Sequence, residues 1–181
     1  MRNILIVIDM QNDFVTGALG SQDAQNILQN VRTKIETSMA QKVEVIFTRD
    51  THGEDYMQTN EGKHLPVPHC IKGTEGWQIC SQLTEGLPMT CQVIDKPTFG
   101  YVDWKNIIQS LNADGKDLQI ELVGVCTDIC VVSNALILKA LYPEAGVSVD
   151  AGCCAGVTKE SHEAALLTMK SCQVEVLNEK P

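Results

Sequence analysis

A chain of 181 residues, 44% hydrophobic and 20% charged, has the makeup of one globular unit with a well-buried core. A net charge of −9 with no Lys/Arg cluster argues against nucleic acid or an anionic membrane surface as partner, because both demand a basic footprint. No apolar run approaches the ~20 residues that span a bilayer, and the Ile4–Ile8 stretch stops at Asp9, too short for a signal core, so a soluble, cytoplasmic protein is expected.

In chain order, Asn3–Ile8 reads as a continuously apolar strand, the pattern of a strand covered on both faces. Ile27, Val31, Ile35 and Met39 recur every four residues and predict one helix over Ala24–Met39. Lys42–Thr48 is the second strand and Gln92–Ile94 a short third. Asp103 is placed to cap a helix whose apolar face is Trp104, Ile107, Ile108 and Leu111. Leu118–Val125 is the fourth strand, Thr127–Leu141 a helix apolar nearly all round, and Gly146–Asp150 the fifth strand. A helix over Lys159–Lys170 and an edge strand over Gln173–Val176 complete the alternation. The expected fold is a three-layer αβα, Rossmann-like domain over 1–181, with about six mainly parallel strands. Residues 49–76 break the rhythm: they carry three of the four histidines and no helix or strand period, and loops of that length are usually functional.

Eight cysteines could suggest a disulfide framework, but chain size and the missing signal segment favour free thiols, and no C-x2-C pair supports a zinc ribbon. In parallel α/β sheets, ligands bind beyond the carboxyl ends of the strands. Those ends carry Asp9, then Arg49 and Asp50, then Asp95 and Lys96, then the Cys126–Cys130 turn, then Asp150. A thiol, an ammonium and a carboxylate on one edge suit nucleophilic catalysis, because Lys⁺ and a helix N-terminus favour a thiolate and a carboxylate accepts its proton. Cys130, in the first turn of a helix that Thr127 or Asp128 would cap, is the better nucleophile, and the same turn offers backbone N–H groups to an oxyanion. The plainer alternatives are a packing cysteine, a turn aspartate and a solvated lysine.

In Asp50-Thr51-His52 the two outer side chains point the same way on extended backbone, and His69 adds a third N/O donor, a set suited to a divalent metal with open positions. Glu61 and His64 compete for a fourth place. Imidazole with carboxylate suits zinc, iron or manganese better than calcium. The alternative is a set of surface loop residues.

The blocks IDMQNDF (8–14), FTRDTH (47–52), PHCIKGTEG (68–76), DKPTFG (95–100) and GVCTDICV (124–131), in that order, resemble the isochorismatase-like cysteine hydrolases, most closely the nicotinamidase branch. The resemblance covers nearly the whole chain. It implies a cysteine amidohydrolase that converts nicotinamide to nicotinate through a thioester, as in NAD salvage. Asp9 would be the proton carrier, Lys96 the thiolate-stabilising lysine, and Cys130 the nucleophile. It also implies a cis peptide at Val125–Cys126 and an oxyanion hole made by the backbone N–H groups of Cys126 and Cys130. The implied ligands of one divalent metal, zinc first, are Asp50, His52, Glu61 and His69, and Phe14 and Phe99 would flank the substrate ring. Relatives are often oligomeric, so self-association is an expectation of the resemblance. True isochorismatases lack the cysteine, which sets vinyl-ether hydrolysis aside. The segment Leu65-Pro66-Val67-Pro68-His69 lacks the aromatic that nicotinamidases commonly carry there. Another amide or a carbamoyl or ureido compound is therefore the alternative substrate, and a non-catalytic metal-binding or thiol-sensing protein the alternative class.

Overall fold

The computed structural model describes residues 2–87, 91–111, 113 and 116–179; the expected 1–181 domain span extends past these at both ends. The elements are β1 (Arg2–Ile8), α1 (Asn12–Val15), α2 (Gln22–Asn26), α3 (Leu28–Ala40), β2 (Glu44–Asp50), α4 (Asn60–His64), α5 (Ser81–Thr84), β3 (Gln92–Lys96), α6 (Trp104–Ser110), β4 (Leu118–Val125), α7 (Val132–Leu141), β5 (Gly146–Ala155), α8 (Lys159–Ser171) and β6 (Glu175–Leu177). A 3-10 turn spans Tyr56–Gln58, and a π-helical turn, Thr127–Val131, leads into α7.

The six strands are all parallel, in the order β3-β2-β1-β4-β5-β6. This is the doubly wound order, whose direction reverses between β1 and β4, and the crevice beyond that junction is where such sheets take ligands. The period of two along β1 divides the core. Ile4, Ile6 and Ile8 pack with Trp104, Ile108, Val131, Leu138, Leu166 and Met169. Leu5 and Val7 face the other way, toward Val31, Ile35, Trp77 and Leu83. Burying both faces is what the continuous apolar run of β1 requires. Among the described residues no helix is long and apolar enough to cross a membrane.

Several boundaries differ from the sequence expectation, each for a local reason. The helix expected over 24–39 is two, broken at Ile27, with Ser21 capping the first through the Ala24 N–H. Lys42 takes a left-handed φ of 59°, so β2 starts at Glu44 and runs on to Asp50, where Arg49 and Asp50 pair with Asp95 and Lys96. β3 is correspondingly longer. Gln173 is likewise left-handed, at φ 66°, which delays β6 to Glu175. β5 continues through an irregularity to Ala155. Asp150 is therefore not at the sheet's functional end: it lies buried in mid-strand, 2.7 Å from the Lys34 ammonium. The 49–76 segment is not unstructured, since it holds the 3-10 turn and α4. Asp103 precedes α6 without capping it; its Oδ1 instead accepts from the Asn106 side-chain amide.

Candidate active site

Asp9 follows β1 with φ 48°, a left-handed conformation unusual outside glycine. Thr48, on β2, holds it there: its hydroxyl accepts the Asp9 N–H at 3.2 Å and donates to Oδ1 at 2.6 Å. Lys96, at the end of β3, reaches across β2 and places Nζ 2.6 Å from Asp9 Oδ2, both side chains fully buried. The same ammonium donates to the Thr98 carbonyl at 3.1 Å and to Cys130 Sγ at 3.6 Å. Asp9, Lys96 and Cys130 therefore meet, as the strand ends led us to expect. Gly124 makes the approach of β4 possible: at φ 119° a Cβ there would lie 2.1 Å from the Ile8 carbonyl oxygen. The Val125–Cys126 peptide is cis.

The electrostatics differ from the expected thiolate. Burial, followed by the Asp9 charge, pushes the Cys130 thiol well above its ordinary range, although Lys96 pulls the other way. Burial also pushes the Asp9 carboxyl up, against the pull of Lys96. Burial alone would lower Lys96, but the surrounding Asp9, Cys130 and Asp50 raise it, so it stays an ammonium. Burial thus disfavours the charged form of both Cys130 and Asp9, and Lys96 opposes it at each. Cys130 also lies in a π-helical turn with no side-chain cap, so neither Thr127 nor Asp128 fills that role. Thr127 Oγ1 is bonded to His162 Nδ1 at 2.8 Å, and Asp128 Oδ1 accepts the Val157 N–H. His162 thus serves this turn from α8. The half-buried Cys126 thiol is pushed up to about 12, by burial and then by Asp128.

Asp50, His52, Glu61 and His69 form a second cluster, their ligand atoms all within 4.8 Å of one another. His52 Nε2 lies 3.0 Å from Asp50 Oδ2 and 3.5 Å from Glu61 Oε1; His69 Nε2 lies 3.5 and 3.8 Å from the same two atoms. Donors about 2.0–2.1 Å from a tetrahedral ion stand about 3.4 Å apart, so these spacings fit a divalent metal. His69 Nδ1 bonds the Val67 carbonyl at 2.8 Å, which orients the ring so that Nε2 faces the cluster. Buried Asp50 Oδ1 has no hydrogen-bond partner. Burial and the Asp50 charge push the Glu61 carboxyl up, an anionic crowding that a cation relieves. Burial alone would raise Asp50, but hydrogen bonds from His52 and His69 and the Lys96 charge hold it well below the carboxylate range. Thr59 caps α4 through the Gly62 N–H and so sets Glu61 in its first turn. His64 is exposed, with Nδ1 on the Asn60 carbonyl, and lies outside the cluster.

Phe14 is buried, its ring 5.5 Å from His69, whereas Phe99 is 44% exposed on the loop after β3. Arg49 and Asp95 pair with each other, and the Arg49 guanidinium stacks on Trp77 at 3.5 Å. Four supporting residues escaped sequence reasoning. Buried Gln11 bonds both the N–H and the carbonyl of Asp50 and also the Trp77 carbonyl. Tyr56 packs its ring 4.6 Å from His52 and 5.0 Å from His69. The third is Thr48. The fourth is Asn134, a lone amide in the apolar run VVSNALILKAL, which was the one available signal for it.

The model of the isochorismatase domain matches residues 3–180. The chain belongs to the isochorismatase family. It is 25% identical over 183 residues to a nicotinamidase/pyrazinamidase of Mycobacterium tuberculosis, covering 96% of this chain and 97% of that protein. It is 30% identical over 182 residues to a protein of Arabidopsis thaliana described as a probable inactive nicotinamidase, covering 94% and 89%. The crystal structure of the Pyrococcus horikoshii pyrazinamidase in complex with zinc superposes with a TM-score of 0.80 at 25% identity, covering 99% of this chain and 100% of that one. Within the isochorismatase family the chain lies on the nicotinamidase branch.

Proposed function

We propose that the protein is a metal-containing cysteine amidohydrolase, with nicotinamide as the substrate and nicotinate and ammonia as the products. The hydrolase class, acting on amide C–N bonds, follows from the family. The observation that carries the reading is the Lys96 ammonium, buried 2.6 Å from Asp9, 3.6 Å from Cys130 and 3.8 Å from Asp50 of the neighbouring cluster. A thiol-sensing or purely metal-binding protein has no use for a buried cation joining the two groups.

In this mechanism the Cys130 proton passes to Asp9 as sulfur attacks the amide carbonyl, because burial makes a standing thiolate costly. The N–H groups of Cys126 and Cys130 receive the oxyanion. Asp9 then protonates the leaving ammonia, and later takes a proton from the water that hydrolyses the thioester. Lys96 keeps Asp9 and the sulfur aligned throughout. Asp50, His52, Glu61 and His69 would hold the divalent ion, which their donor chemistry suits to be zinc. An ion held there would supply Lewis-acid chemistry toward a pyridine nitrogen or water. Phe14 beside His69 offers a ring face or edge to the substrate, and Phe99 is the second aromatic of this proposal. The chain acts as one hydrolase domain. Its eight free cysteines suit the reducing cytoplasm, and hydrolysis of nicotinamide would give it a role in NAD salvage.

A second substrate reading, a carbamoyl or ureido compound, is favoured by the Leu65–Pro68 segment, which has no aromatic and whose Leu65 carbonyl is tied to the Tyr56 hydroxyl. Ammonia release should be assayed on nicotinamide and on a panel of amides and ureido compounds, with and without chelator, for wild type and Cys130→Ala. Release from nicotinamide that is lost in Cys130→Ala is expected. Release from other amides alone would overturn the substrate, and an unchanged rate in Cys130→Ala would overturn the mechanism.

A further inference from the structure

Asn134 is fully buried one helical turn beyond Cys130, and every hydrogen-bonding position of its amide is filled. Oδ1 accepts from the Tyr101 N–H and from Trp104 Nε1, both at 2.9 Å. Nδ2 donates to the Cys130 carbonyl at 2.8 Å and the Phe99 carbonyl at 3.1 Å. Two donors face the oxygen and two carbonyls face the nitrogen, so only this orientation of the amide satisfies all four groups. The 97–101 loop is thereby fastened to the Cys130 turn. Two further contacts hold the same loop. Lys96 donates to the Thr98 carbonyl, and Gly100 packs so closely on α7 that a Cβ would lie 2.4 Å from Ile137. Cys130 itself is only 4% exposed, and the Lys96 ammonium that bonds its sulfur also bonds the Thr98 carbonyl of this loop.

We propose that Asn134 is a positioning residue with two separable effects. Its bond to the Cys130 carbonyl aims the thiol, and its bonds to Phe99 and Tyr101 hold the loop that admits and seats the substrate. The split into effects on turnover rests on the amidohydrolase reading; the aim of the thiol does not.

Three variants separate the effects. In Asn134→Thr the hydroxyl still donates to the carbonyl four residues back, a common helical bond, but cannot replace both loop contacts. Asn134→Ala loses both. Trp104→Phe removes one donor to the same amide but keeps an aromatic ring beside Tyr101 and leaves the Asn134 Nδ2 bonds to Cys130 and Phe99 in place. For Asn134→Thr the expected outcome is kcat within about twofold of wild type and KM raised about tenfold. For Asn134→Ala, kcat should also fall about tenfold, and iodoacetamide alkylation of Cys130, followed by peptide mass spectrometry, should change severalfold. Trp104→Phe should melt earlier with both constants within about twofold. Wild-type alkylation rates in Asn134→Ala, or equal losses in Trp104→Phe, would overturn the proposal. If Asn134→Ala does not fold, Asn134→Thr decides: loss of kcat with KM unchanged refutes it. Should even wild type release no ammonia from any amide, the proposed function fails, while the alkylation comparison still tests the aim of the thiol.

Discussion

Replacing Lys96 by Met keeps most of the side-chain volume and removes the charge. In the native protein Nζ is 2.6 Å from Asp9 Oδ2, with neither side chain exposed. At an effective dielectric of about 20, that contact carries roughly 6 kcal/mol of Coulomb energy, much of it offset by desolvation of the two ions. Deleting one partner of a buried pair costs about 3–5 kcal/mol. The orphaned carboxylate has an escape, which is to bind a proton. From an unfolded pKa of about 3.9, protonation costs roughly 4 kcal/mol at pH 7 and roughly 1.5 kcal/mol at pH 5. Asp9 is already raised by burial, and losing Lys96 raises it further. A carboxyl whose folded pKa is raised costs nothing below its unfolded value; its penalty grows as pH climbs to the folded value and is constant above it. Lys96→Met should therefore lose about 3–4 kcal/mol at pH 7 but about 1–2 kcal/mol at pH 5. Urea melts of both proteins at pH 5, 6 and 7, with equal metal content, measure the difference. An equal loss at pH 5 and pH 7, or one below about 1 kcal/mol throughout, would refute the buried ion pair.

Cys126→Ala should retain most amidase activity while Cys130→Ala abolishes it, because only the backbone N–H of Cys126 is used; comparable losses in a parallel rate assay would show that the turn is misread. Thr48→Val removes a 2.6 Å hydroxyl bond to Asp9 that holds its pKa down. A hydrogen bond to a charged group is worth about 1.5–3 kcal/mol, so the acid limb of kcat/KM should move up by roughly 1–2 pH units. An unmoved limb would remove Asp9 from the role of base. Gln11→Leu frees the Asp50 backbone, and metal affinity measured by competition with a chelator should fall about 10–100-fold. Unaltered affinity would mean that the Gln11 clamp does not orient Asp50.

The legible parts of this fold are those where one periodicity suffices. The apolar run of β1 and the i, i+3, i+4 face of Trp104, Ile107 and Ile108 were readable because each reports burial of a single element. The boundaries were not, because they depend on backbone that the apolar pattern ignores. Lys42 and Gln173 take left-handed φ without being glycine, and each displaces a strand. Asp150 shows the cost: reading β5 as ending there placed it at the functional edge, whereas the strand carries on and leaves it inside the sheet with Lys34.

For the site, the residues bearing charge or sulfur were legible, since parallel strands all point their carboxyl ends the same way: Asp50 and Lys96 end such strands, Asp9 follows one, and Cys130 lies in the turn after another. What sequence could not supply was the electrostatic balance. A lysine and a helix start suggested a lowered thiol pKa, yet full burial of Cys130 beside Asp9 outweighs the pull of Lys96 and raises it. The supporting amides and hydroxyls were hidden for a related reason. Gln11, Thr48 and Asn134 are ordinary polar residues in sequence, and only the fold leaves them without water, so that each must spend its hydrogen bonds on a group that matters. Gln11 spends them on the backbone of a metal-cluster aspartate, Thr48 on Asp9, and Asn134 on the carbonyl of Cys130. A buried polar side chain one step from a charged one is therefore the pattern to seek in related chains, because desolvation makes its partners obligatory.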